Sequence, residues 1–159
     1  MQQYNVEIAG PEHNLDDIYA LADEAGKNTG RQGSLNKDPE FLRNSLDAIM
    51  NGDTSQVALF LLMHEGKPIG FLLAACTNTP HILMKGETVA AELIWYVSND
   101  HRGRQAWSLV DAFETWAQDQ GAKYTVMAHL EDKIGESLDK IYRSQGYVPV
   151  ERTYLREIS

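Results

Sequence analysis

A carboxylate and a basic glycine turn stand close together in this chain. Glu92 is the one acidic side chain in the apolar run Val89 to Val97. That run leads into Ser98-Asn99-Asp100-His101-Arg102-Gly103-Arg104-Gln105-Ala106, and a helical pattern opens at Trp107. A strand that ends in such a turn and starts a helix aims unpaired backbone N–H groups at one point, with arginines beside them. The result is a cradle for a phosphate or pyrophosphate around Arg102-Gly103-Arg104. The bland alternative is a solvated basic turn that caps a helix. A phosphate cradle next to a buried acid suits an enzyme using a nucleotide-like cofactor.

Strand alternation puts Glu92 on the face of Ile94 and Tyr96, where desolvation would raise its pKa toward that of a useful base. A carboxylate at the strand's wet end, or one paired to a structural arginine, is the competing reading. Cys76 ends an apolar strand and reads as a small core residue, since nothing nearby in sequence activates it. The spacing of His64, His81, His101 and His129 matches no metal-ligand pattern, so no metal is expected. His129, on the expected fifth strand, is a minor candidate for assisting proton transfer. Trp95 and Trp116 read as core, Tyr147 and Tyr154 as packing residues, and Asp111 and Glu114 as a solvated helix face.

The elements that must position these residues follow from patterning. Val6 to Ala9 is a first strand, ended by Gly10-Pro11. Leu15, Ile18, Tyr19, Ala22 and Ala25 recur at helical spacing, and Gly26 closes that helix. The glycine-rich segment Asn28 to Ser34 is a connector or a substrate-side loop. Asp38 caps a second helix with Pro39 at its first position, and Phe41, Leu42, Leu46, Ile49 and Met50 form the apolar stripe. Strands Gln56 to His64 and Ile69 to Cys76 form a hairpin around Glu65-Gly66-Lys67-Pro68. A connection from Thr77 to Thr88 precedes the strand Val89 to Val97. The helix after the basic turn carries Leu109, Val110, Phe113, Trp116 and Ala117 and stops at Gly121. Then come a fifth strand over Tyr124 to Leu130, a helix over Ser137 to Ser144, Gly146, and a terminal strand pair, Tyr147 to Val150 and Thr153 to Ile158. The order predicts a mixed α/β (α+β) fold, a mostly antiparallel sheet with helices on both faces.

A chain of 159 residues, 43% hydrophobic and 23% charged, fits one globular domain spanning 1–159. No apolar run approaches the roughly 20 residues that span a bilayer, and the first residues lack the pattern of a signal peptide. With one cysteine, these features point to the cytoplasm. The formal net charge of −9 argues against nucleic acid or anionic membranes as partners and favours a cationic substrate such as an amine.

This element order and the basic turn resemble the GNAT superfamily of N-acetyltransferases, over nearly the whole chain. The family's cofactor motif, Arg/Gln-x-x-Gly-x-Gly/Ala, aligns with Arg102-Gly103-Arg104-Gln105-Ala106-Trp107. Gln105 stands where glycine is usual and Trp107 where glycine or alanine is usual. Ile141-Tyr142-Arg143-Ser144-Gln145-Gly146-Tyr147 resembles the family's Leu-Tyr-x-x-x-Gly-Phe/Tyr signature. His-Arg-Gly followed by Tyr-Val-Pro-Val-Glu-Arg-Thr-Tyr is also similar to acetyltransferases encoded by bacteriophages. The asparagine many members carry before the last helix is missing; Ile134-Gly135-Glu136-Ser137 stands there.

The resemblance implies an acetyl-CoA-dependent N-acetyltransferase acting on a small-molecule or protein amine, with a homodimer possible. It implies Glu92 as a water-mediated base and Tyr142 as the acid toward the leaving thiolate. It also implies main-chain contacts to pantetheine at Tyr96 and Val97, where the fourth strand splays from the fifth. Residues Arg102 to Trp107 would hold the pyrophosphate. The acceptor would lie over the open side of the sheet, near the first two helices and the loop from Asn28 to Leu35. The departures at Gln105 and Trp107 motivate the rival reading, a GNAT-like module that binds a protein partner, or CoA without transfer.

Overall fold

A computed structural model describes residues 3–28, 38–77, 87–129, 133–150, 156 and 158. The elements run β1 (Tyr4–Ile8), α1 (Leu15–Asn28), α2 (Pro39–Met50), β2 (Val57–His64), β3 (Lys67–Thr77), β4 (Val89–Val97), two short 3-10 turns (Asn99–His101 and Arg104–Ala106), α3 (Trp107–Asp119), β5 (Tyr124–Val126) and α4 (Lys133–Ser144). The five strands form one sheet in the order β1-β2-β3-β4-β5. The first three pairings are antiparallel and β4–β5 is parallel.

The centre of the sheet is buried on both faces, which is why β2 reads as an unbroken apolar run. Ala58, Phe60 and Leu62 pack with Leu109, Val110, Phe113, Trp116 and Ala117 of α3. The alternate residues Leu59, Leu61 and Met63 pack with Ile18, Leu21 and Ala25 of α1 and with Leu46 and Met50 of α2. Trp116 anchors its indole N–H on the Thr54 carbonyl at 2.8 Å. The expected layering, helices on both faces of a mostly antiparallel sheet, is what the chain adopts.

Several boundaries differ from the sequence reading. β1 starts earlier, at Tyr4, because it pairs residue for residue with β2. α1 runs through Gly26 to Asn28, held by packing that outweighs glycine's low helix propensity. The β2–β3 hairpin turns on Glu65 and Gly66 alone, both at positive φ (49° and 77°), so Lys67 and Pro68 belong to β3. On α2, Asp38 accepts from Phe41 N–H as the cap pattern requires, but Phe41 itself is 69% exposed, so it is not part of the buried stripe. β5 ends at Val126 and α4 begins at Lys133. Tyr147 to Val150 is not in a strand among the described residues, and most of Thr153 to Ile158 lies outside them, as does the loop after Asn28 up to residue 37 and the connection over 78–86.

Candidate active site

β4 carries the site, and one irregularity in it decides where each side chain goes. Its register against β3 runs Leu72↔Trp95 and Leu73↔Ile94, then jumps to Ala74↔Glu92. Leu93 is the extra residue of a β-bulge and is 53% exposed. Paired residues share a face, so Glu92 lies with Ala74 on the α3 side, while Ile94 lies with Leu73 on the α1–α2 side. The expectation that Glu92 shares a face with Ile94 and Tyr96 is therefore corrected: the bulge inverts the alternation between them.

Glu92 is buried, at 8% exposure, and accepts a hydrogen bond from the Ala128 N–H at 3.0 Å. Parallel pairing of β4 with β5 stops at Ala91↔Val126. Past that point the carboxylate holds a backbone N–H of the departing chain, and among the described residues β4 from Glu92 to Val97 has a strand partner only in β3. The two strands thus diverge around Glu92.

Tyr142 stands in the same opening. It is 6% exposed, and its hydroxyl donates to the Ala128 carbonyl at 3.0 Å. Burial first, then the nearby carboxylate of Glu92, pushes its phenol well above the usual tyrosine range, so it stays protonated at neutral pH. Gly146, at φ 89°, lets the chain reverse after α4, with Tyr147 N–H bonded to Tyr142 O at 3.0 Å. That places the Tyr147 ring 5.7 Å from the Tyr142 ring. The Tyr147 hydroxyl donates to Glu114, so Glu114 is a half-buried partner and not only a solvated face.

Around Tyr142 sits an aromatic wall. Trp95 and Trp107 meet edge-to-face at 5.8 Å, and their rings lie 6.5 Å and 6.2 Å from Tyr142. The His129 ring is 6.3 Å from Tyr142; His129 follows β5 instead of lying on it. Trp95 is half-buried at the edge of the core cluster, and its buried indole N–H has no hydrogen-bond partner among the described residues. Trp107 packs at the same edge, beside the opening.

The basic turn follows. Gly103 has φ 143°, a conformation only glycine adopts readily, and a Cβ there would come within 3.2 Å of the Gln105 side-chain oxygen. Ala106 N–H bonds Gly103 O at 3.0 Å and Trp107 N–H bonds Arg104 O, so the turn's own bonds begin there. Among the described residues the N–H groups of Gly103, Arg104 and Gln105 take no hydrogen bond, as first-turn donors waiting for an anion would. Gln105 folds its amide back onto the His101 carbonyl at 2.7 Å. Arg102 is exposed, with Nε on the Val97 carbonyl at 3.0 Å and its guanidinium 5.9 Å from the Tyr96 ring. Arg104 is exposed as well, and neither arginine makes an ion pair among the described residues.

Unpaired N–H groups, an exposed arginine, a half-open strand edge and an orphaned indole N–H together fit the pyrophosphate and amide-rich arm of CoA. Residues 12–147 match the acetyltransferase (GNAT) family.

The chain belongs to the GNAT acetyltransferase family.

Its donor is accordingly acetyl-CoA, and its class is acyl-CoA-dependent N-acetyltransferase. Solved structures agree on the fold of this GNAT chain. An aminoglycoside N-acetyltransferase, AAC(6')-Iy, in complex with CoA is 16% identical, with 99% of this chain and 96% of that one covered and a TM-score of 0.77. A ribosomal-protein-alanine N-acetyltransferase from Brucella melitensis biovar Abortus 2308 is 15% identical, with 99% and 100% covered and a TM-score of 0.71. An aminoglycoside acetyltransferase from an uncultured soil metagenomic sample, in complex with sisomicin, is 15% identical, with 98% and 95% covered and a TM-score of 0.69. No curated protein matches the chain by sequence. Among the described residues of this GNAT chain, no helix is long and apolar enough to cross a membrane, and no three His, Cys, Asp or Glu side chains gather as metal ligands would.

Sequence reasoning missed Glu24 on α1 and placed Asn28 in the following loop, whereas it is the last residue of α1. Tyr96 donates its hydroxyl to Glu24 and accepts from the Asn28 amide, each at 2.8 Å. Their spacing of four, which puts both on one helix face, is the one trace they leave in the sequence. The Ala128 backbone, which joins Glu92 to Tyr142, leaves none.

Proposed function

We propose that this chain transfers the acetyl group of acetyl-CoA directly to a primary amine, with Glu92 as a water-mediated base and Tyr142 as the proton donor to the leaving sulfur. The observation that carries the reading is the meeting of Glu92 and Tyr142 at Ala128, in the opening where β4 leaves β5. An amine attacks only when deprotonated, so a buried carboxylate at that opening is the group to take the proton, through one water. The sulfur departs with the electron pair of the broken C–S bond, and the Tyr142 hydroxyl stabilises it by a hydrogen bond. Because the phenol is held above its usual range, full proton transfer is downhill only once the departing thiolate is itself desolvated. The main chain at Tyr96 and Val97 is the proposed pantetheine contact, and the N–H groups of Gly103, Arg104 and Gln105, with the Arg104 charge, the pyrophosphate contact. Ala106 and Trp107 close the turn.

The acidic chain, at −9, favours a cationic acceptor. Two of the three structural neighbours described above are aminoglycoside acetyltransferases, and a polyamine or aminoglycoside is the acceptor class we infer. The chain's single cysteine, Cys76, is half-buried and free, which suits a reducing compartment, so we take the chain to be cytoplasmic. Calorimetric titration with acetyl-CoA, CoA and ATP tests the donor. Saturable binding of both CoA species and none of ATP is expected; ATP binding alone would reject it. Thiol release with sisomicin and with spermidine then tests the acceptor class.

Trp107 motivates one rival. Its ring closes on Trp95 and Tyr142, where the family usually has a small residue. If that ring fills the donor groove, the chain is a GNAT-like module that binds a protein partner, or CoA without turnover.

A further inference from the structure

The end of β4 is held from α1 by a single carboxylate. Glu24 Oε1 accepts the Tyr96 hydroxyl and the Ser98 hydroxyl, both at 2.8 Å. These two residues flank Val97. Asn28, the last residue of α1, adds a third bond by donating to the Tyr96 oxygen at 2.8 Å. From the other direction Arg102 grips the Val97 carbonyl and lies over the Tyr96 ring. β3 presses close along the paired edge: a Cβ on Gly70 would stand 2.8 Å from Val97 Cγ2, so glycine lets the strands meet there. The segment is past the end of the β4–β5 ladder and just before the phosphate turn. A strand end paired on one edge frays unless side chains fix it, and hydrogen bonds to a carboxylate are among the stronger ones.

We infer that Glu24 is a positioning residue for the acyl donor: it fixes Tyr96 and Ser98, and so sets the main chain between them before the cofactor arrives. The inference rests on the reading that this main chain holds pantetheine. Preorganised contacts lower the ordering cost of binding, so loosening them weakens affinity without touching the reacting groups.

Charge alone predicts the opposite sign. Removing an anion near the site of an anionic cofactor would tighten binding. Glu24→Ala loses both acceptor and charge, whereas Glu24→Gln loses the charge and keeps an oxygen able to accept two hydrogen bonds. Asp17→Ala removes a charge from the same helix, at the same cleft of ≈ 500 Å³ shared with Glu24, Ser98 and Asp100, and Asp17 has no bond to β4 among the described residues.

The experiment is calorimetric titration of acetyl-CoA and CoA into wild type and the three variants, well below each melting temperature. Glu24→Ala is expected to raise both dissociation constants about tenfold. Glu24→Gln and Asp17→Ala should stay within about twofold of wild type or bind tighter. A merely structural role would lower the melting temperature and leave these constants alone. Should Glu24→Ala not fold, Ser98→Ala removes one of the two bonds and should weaken binding about threefold. Unchanged or tighter binding by Glu24→Ala, or by Ser98→Ala in its place, overturns the inference, as does equal weakening by Glu24→Gln. Wild type that binds neither CoA species overturns the donor reading itself, and this inference with it.

Discussion

Glu92 and Tyr142 are bound to opposite ends of one residue: the Ala128 N–H donates to the Glu92 carboxylate and the Ala128 carbonyl accepts the Tyr142 hydroxyl, each at 3.0 Å. The two groups come from a strand and a helix far apart in sequence, yet a single backbone unit sets their separation. A shift of the chain after β5 would move both together.

Glu92→Gln keeps an acceptor for the Ala128 N–H, so the fold should persist while the proton acceptor is lost. Turnover should fall about 100-fold, in the range of a lost general base. The deficit should be greatest at lower pH, where the amine is most protonated. A pH–rate profile parallel to wild type removes Glu92 as the base.

Trp107→Ala separates a core residue from an obstruction. The ring is half-buried at the edge of the α3 cluster, so the truncation should cost roughly 2 kcal/mol in chemical denaturation, below the value for a fully buried tryptophan. Acetyl-CoA affinity should stay within about threefold. A gain of tenfold or more would mean the ring fills the groove, and the rival reading would take over.

Leu93→Lys tests the bulge. Leu93 is the half-exposed extra residue between Glu92 and Ile94, so a charge there should change stability by no more than about 0.5 kcal/mol. A large loss would mean that Leu93 packs inward and that Glu92 does not lie on the α3 face.

The fold was legible wherever the signal is local. Asp38-Pro39 announced α2, the α3 stripe from Leu109 to Ala117 announced the buried helix face, and Gly146 announced the end of α4. What stayed hidden depends on partners distant in sequence. The face of Glu92 is set by the register of Ala74 and Leu73 across the sheet, and no residue in Ala90-Ala91-Glu92-Leu93-Ile94 marks a bulge. That the Arg102 Nε also holds the Val97 carbonyl and its guanidinium lies by the Tyr96 ring could not be read from its type. Glu114 looked solvated until Tyr147 arrived over α3. Helix pattern alone also misjudged Phe41, whose spacing matched a stripe that the sheet does not reach.

Alkaline pH should destabilise the protein in a way that reports its buried and half-buried phenols, Tyr142 and Tyr147. Burial first raises both Tyr142 and Tyr147; the Glu92 carboxylate adds to it at Tyr142, and the hydrogen bond to Glu114 adds to it at Tyr147. In the unfolded chain each ionises near pH 10. Below that both states are protonated and the linkage contributes no pH dependence. Above it the unfolded state loses protons first, so stability falls by up to about 1.4 kcal/mol per pH unit for Tyr142. Urea denaturation between about pH 8 and pH 11.5 should show this slope, and Tyr142→Phe should make it shallower. Equal slopes would mean that Tyr142 is accessible to solvent.

Steady-state thiol release by Tyr142→Phe, alongside its acetyl-CoA dissociation constant, tests the central claim most directly. The ring and its packing remain, and only the hydroxyl at Ala128 is lost. Turnover with the best amine acceptor should drop about 100-fold, with donor affinity within about threefold of wild type. Turnover equal to wild type would contradict the account, because Tyr142 would then have no part in releasing the thiolate.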